Sequence, residues 1–191
     1  MDEKTPKADI AEKAVWYVLR VTYCREMRVK AELDSLGIRN FVPMQVKGVV
    51  RGGKLVKRLV PSVHNLIFVF IEPSRMKEYK ATTALPVRYI MRKEDNGRRE
   101  PVTVPQRQMD SFIAVAGTHD EQLLYLTPKP GDFSQGDRVR ILGGPFEGAE
   151  GVFVRLKGDR RVVVSIEGVV AVATTYIHPS LLEKIASPSH P

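Results

Sequence analysis

The chain has 191 residues, 43% of them hydrophobic, enough for one mid-sized domain or two small ones and too many for global disorder. It holds no apolar run of membrane-spanning length and a single cysteine, Cys24, which excludes a transmembrane helix and an internal disulfide. The net charge of +8 is lopsided: residues 1–117 carry 22 Lys/Arg against 13 Asp/Glu, whereas residues 118–191 carry eight against nine, so any polyanionic partner belongs to the first part.

Residues 1–13 read as a polar tail with no apolar block, which argues against a secretory signal. The run 15-VWYVLRV-21 predicts a buried strand. Val29, Leu33 and Leu36 recur at helical spacing within 25–37, and Gly37 stops that helix. A strand is expected over 40–46. Gly52-Gly53 between β-branched runs predicts a hairpin over 47–61, studded with Lys47, Arg51, Lys54, Lys57 and Arg58. The most apolar strand, 66-LIFVFI-71, belongs at a sheet centre. Ser74 is the expected N-cap of the next helix, which runs through Lys80. A strand over 87–92 leads into a polar loop at 93–100, and a helix follows over 105–117 between Pro105 and Gly117.

Residues 118–135, with Pro128, Pro130 and Gly131, read as a linker. Beyond it come only short strands, at 138–142, 151–156, 161–166 and 169–175, with a closing turn at 181–185 and a tail at 186–191. Close strand spacing with Gly-rich turns predicts a small barrel over 136–185. In 136-GDRVRILGGPFEGAEGVF-153, Pro145 belongs to a turn and Gly151 to a bulge or a close backbone approach. Phe146 either closes one end of the barrel or faces a partner.

That stretch resembles the KOW motif of the NusG family of transcription elongation factors, carried by Gly136, Asp137, Gly144, Pro145, Phe146 and Gly151. Trp16-Tyr17-Val18, a helix with Arg28, Val29 and Leu33, 41-FVPMQ-45, a basic hairpin and an apolar strand resemble the N-terminal domain of the same family. The resemblance implies an α+β chain: a sandwich-like N-terminal (NGN) domain over 14–117, then an SH3-like all-β KOW barrel.

It further implies a binding protein without catalytic groups, acting in the cytoplasm as a monomer. Such factors dock an apolar hollow on the clamp helices of the largest RNA polymerase subunit and suppress pausing or termination. The positions implied for that dock are Trp16, Tyr17, Arg28, Leu66 and Phe68. A lone tryptophan on a first strand also packs in a core. Arg51, Lys54, Lys57 and Arg58 would face the phosphates of upstream DNA.

Three departures point to a specialised antiterminator of the RfaH type, acting on long operons such as polysaccharide clusters. The stretch 61-PSVHNLIF-68 replaces a Pro-Gly-Tyr pattern, putting Leu66 where the tyrosine stands. Glu167 precedes Gly168 where the general factor has an aromatic, which puts contact with a ribosomal protein or Rho in doubt. The loop at 93–100 is longer and more charged. The alternatives are the general factor itself and a KOW-containing RNA- or ribosome-binding protein. His64, His119, His178 and His190 show no metal-ligand spacing and Cys24 no partner motif, so neither a metal nor a cofactor is expected.

Overall fold

The computed structural model describes residues 12–94, 96–127 and 136–186. The expected tails at 1–13 and 186–191 fall largely outside this range, as do residues 128–135 of the expected linker.

The first unit is built on β1 (Val15–Val21), which pairs antiparallel with β5 (Leu66–Ile71) along its whole length. β2 (Arg39–Phe41) flanks β5, while β6 (Val87–Tyr89) and β9 (Thr103–Val104) share the other edge of β1. Side chains alternate across a strand, so β1 and β5 divide their apolar residues between two layers. Tyr17, Leu19, Ile67, Val69 and Ile71 face α1 (Glu26–Ser35) and α2 (Pro73–Thr82), meeting Val29, Leu33, Met76 and Tyr79. Trp16, Val18, Leu66 and Phe68 face α3 (Gln106–Ala116), meeting Met109 and Phe112.

Three expected boundaries move. The strand expected over 87–92 breaks at Ile90, leaving 87–89 on the main sheet and 91–93 in a separate hairpin. The strand expected over 40–46 is two strands: β2 in the main sheet and β3 (Met44–Arg51), broken at Val42-Pro43, where the proline removes a ladder donor. The helix expected to be capped by Ser74 opens one residue earlier. Glu72 is its N-cap and Pro73 its first residue, where a missing N–H costs nothing. The Ser74 amide instead donates to Glu12 Oε2 at 2.8 Å. The loop at 93–100 is partly ordered as a hairpin of β7 (Met91–Lys93) and β8 (Arg99–Pro101), which turns at Asn96-Gly97.

β3 and β4 (Lys54–Pro61) form the expected hairpin. Its turn is Gly52-Gly53, with φ of +57° and +77°, as a two-residue loop matched to the strand twist requires.

The second unit is a six-stranded antiparallel sheet in the order β10 (Leu124–Leu126), β14 (Val170–Ala173), β13 (Asp159–Ile166), β12 (Glu150–Leu156), β11 (Asp137–Ile141) and β15 (Leu182–Lys184). β10 lies inside the segment read as a linker. Its three residues, 124-LYL-126, are too few to show a period in sequence, yet they pair along β14. A 3-10 turn, Pro179–Leu181, leads into β15.

Gly136 and Asp137 open β11, and Asp137 pairs with Lys184 at 2.9 Å. Gly144 and Pro145 make the β11–β12 turn, which drops Phe146 into the barrel core at 1% exposure. At Gly151 a Cβ would run into the Val163 carbonyl and within 2.8 Å of Val162 Cγ1, so β12 and β13 approach closely only because no side chain stands there.

Candidate functional site

The expected dock residues do not share one surface. Trp16, Leu66 and Phe68 come together on the α3 side of the sheet, each no more than 4% exposed. Phe68 lies 5.6 Å from Phe112, and Phe41 meets the same ring edge-on at 6.2 Å. Trp16 packs on Phe70 at 5.3 Å, carries the Arg39 guanidinium over its ring at 5.1 Å, and donates its indole N–H to Gln106 Oε1 at 3.0 Å. Tyr17 points to the opposite layer, and Arg28 is exposed on α1, beyond that layer. The period of a strand separates Trp16 from Tyr17.

The barrel rests on the outer side of α3, so α3 is a middle layer. Gln108 donates to the Ser165 carbonyl at 2.6 Å, and the Glu150 amide donates to Ser111 Oγ at 3.1 Å. The Glu150 carboxylate takes Arg107 from α3 at 2.5 Å and Arg140 from β11 at 2.8 Å. Burial raises its pKa, but those two guanidinium groups outweigh burial and hold it below the ordinary 4.5. The apolar residues of both units form one continuous cluster through α3, from Trp16 and Phe68 to Ile166 and Val172. The connector is held too: Arg161 donates to the Gln122 carbonyl at 3.1 Å, and Tyr125 donates to the Met44 carbonyl at 3.2 Å. Beside this seam a cavity of about 650 Å³ lies between Trp16, Phe70 and Gln106 on one side and Ile166 and Glu167 on the other.

The hairpin has two unlike faces. Its register sets Lys47 opposite Arg58, Val49 opposite Val56 and Arg51 opposite Lys54, so four cations share one face. The other face carries Val50 opposite Leu55, 71% and 74% exposed, and Lys57 opposite Gly48. Lys57 is drawn to Glu121 at 2.6 Å. Of the four residues expected to face nucleic acid, Arg51, Lys54 and Arg58 therefore stand together and Lys57 apart. Lys47, missed as a site residue, joins them. Counting alternate positions back from the glycine turn would have found it.

The family model for NusG, described as transcription termination factor nusG, matches residues 14–113, more than half of the chain. The chain belongs to the NusG family. It is in that broad sense a transcription elongation or antitermination factor. Among solved structures it is similar to one described as "Domain interaction in Thermotoga maritima NusG", at 20% identity over 91% of this chain and 98% of that one, with a TM-score of 0.44. A comparison with curated protein sequences returns no match. The NusG-matched segment holds the apolar layer and the hairpin, and it ends within α3. No helix among the described residues of this NusG-family chain is long and apolar enough to cross a membrane. Glu167 is exposed at the β13–β14 turn and lines the seam cavity.

Proposed function

We propose that this protein is an operon-specific antitermination factor that binds RNA polymerase through its NusG N-terminal domain while the basic hairpin face follows upstream DNA. The observation that carries the reading is the hairpin. Like charges set directly opposite destabilise a two-stranded ribbon, and here two such pairs, Lys47–Arg58 and Arg51–Lys54, lie on one exposed face. A polyanion relieves that repulsion, and phosphates accept such contacts without base readout.

The dock for the clamp helices is the layer of Trp16, Leu66 and Phe68 with Phe112. The layer is covered by α3, which the barrel backs, so docking there goes with loosening of the seam and a shift of α3 off the sheet. Leu66 and Glu167, which stand where the general factor has aromatic residues, support the specialised role. They also argue against a ribosomal or Rho contact for the KOW barrel.

The test uses the full chain and an Arg107→Glu variant, which sets two carboxylates against each other across the seam. Pull-down with polymerase should strengthen several-fold in the variant, and read-through in an elongation assay should rise on selected leaders only. Failure of both forms to bind polymerase would overturn the proposal. Uniform suppression of pausing on every template would replace the specialised role with the general one.

A further inference from the structure

Cys24 and His64 are 40 residues apart in sequence, yet the fold brings them together at the root of the hairpin. Cys24 lies between β1 and α1, and His64 between β4 and β5. The Cys24 amide donates to Asn65 Oδ1 at 3.0 Å, which ties the two loops. Cys24 Sγ stands 4.0 Å from His64 Nδ1, and the same nitrogen stands 3.8 Å from Glu26 Oε1. One ligand atom from each of the three lies within 4.8 Å of the others.

Glu26 is the unusual member. It is 1% exposed, and its Oε2 is buried with no hydrogen-bond partner. An ionised carboxylate in that state is costly unless a cation meets it. Glu26 stands in the first turn of α1, whose positive end favours a negative charge, yet no backbone donor reaches Oε2. The His64 imidazole is at ion-pair range but beyond hydrogen-bonding distance. Cys24 and His64 are both exposed, so an ion has a path in.

We propose that Cys24, Glu26 and His64 form a Zn²⁺ site with three protein ligands and a fourth position open to solvent. A thiolate, an imidazole and a carboxylate make the mixed set that suits zinc, whereas magnesium and calcium take oxygen alone. Tetrahedral zinc with its usual bond lengths sets ligand atoms roughly 3.4–3.6 Å apart. The two separations from His64 Nδ1, 4.0 and 3.8 Å, need to close by roughly half an ångström each, and the Cys24–Glu26 pair starts from no more than 4.8 Å. The ion neutralises the stranded carboxylate and fastens the loop below the hairpin to the start of α1.

The test uses the untagged full chain, stripped with a chelator under reducing conditions and titrated with Zn²⁺ by calorimetry and with Co²⁺ by absorption. One Zn²⁺ should bind per chain, and Co²⁺ should give a thiolate charge-transfer band that Cys24→Ser abolishes. Cys24→Ser and His64→Gln, both at exposed positions, should weaken Zn²⁺ binding by about tenfold or more. His178→Gln should leave it unchanged. Glu26→Gln should raise the melting temperature of the metal-free chain and remove the further rise that Zn²⁺ brings. Absence of saturable binding at one equivalent, or affinity unaltered in both Cys24→Ser and His64→Gln, overturns the site.

Discussion

Gly151 is the residue on which the barrel closes, because the Val163 carbonyl occupies the space a side chain would need. Gly151→Ala should therefore destabilise the barrel by about 1–3 kcal/mol, with the excess coming from displaced backbone. Urea unfolding of the full chain measures it, and an unchanged midpoint would show that β12 and β13 can part at no cost. Phe146→Ala, at a fully buried ring, should cost about 3–5 kcal/mol. Tyr79 makes a separate point. Burial between α2 and the sheet pushes its hydroxyl up to about 12 from the ordinary 10.0. The unfolded chain ionises first, so the stability tied to the neutral phenol is intact below pH 10 and is lost as pH rises towards 12. Tyr79→Phe should flatten that alkaline loss in melts recorded across this range. At this scale sequence was a good guide to burial and a poor guide to company. The turn role of Pro145 follows from residue type, whereas for Phe146 the sequence left the barrel end and a partner both open, and the fold buries the ring. The proximity of Cys24 to His64 follows only from the fold, because nothing local links positions so far apart.

Among the elements, the proposed function assigns DNA binding to one face of the hairpin. Replacing any of Lys47, Arg51, Lys54 or Arg58 by alanine should weaken binding to duplex DNA of any sequence. Each should also lower the slope of log affinity against log salt by about 0.9. Lys57→Ala should change the slope less, since its ammonium is directed at Glu121. Equal effects at all five positions would mean that the ribbon binds as a diffuse charge. Lys54→Glu should stabilise the isolated ribbon by about 0.2–1 kcal/mol while weakening DNA binding, which separates folding from function. Most elements were legible in sequence because their apolar periods are long: β1, β5, α1, α3 and the barrel strands all stand near their expected places. The short ones were not. β10 offers three residues and no period, and β2 was fused with β3 because Pro43 was not read as a break. Tyr17 and Arg28 were grouped with Trp16 through the family resemblance, although strand alternation alone sends Tyr17 to the other layer.

For the molecule as a whole, the packing of one unit on the other was hidden from sequence. Its polar contacts are made by Gln108, Ser111, Arg107 and Glu150, around the apolar cluster that runs through α3, and nothing in their residue types marks them as partners. Glu150 makes the seam sensitive to acid. Its carboxylate titrates below 4.5 in the folded chain, so its contribution is fully present above that value. The contribution is lost as pH falls through the depressed value. Small-angle scattering should show the full chain expanding on acidification, and Arg107→Ala should remove part of that pH dependence. A profile that is flat in both forms would mean that the apolar cluster alone holds the units together.

The pairing of β10 with β14 sets how far the barrel can travel once it lets go. Only residues 117–123 separate α3 from β10, a tether of at most about 25 Å when fully drawn out. Three residues of zipped backbone thus hold any release of the barrel to a short swing beside its parent unit.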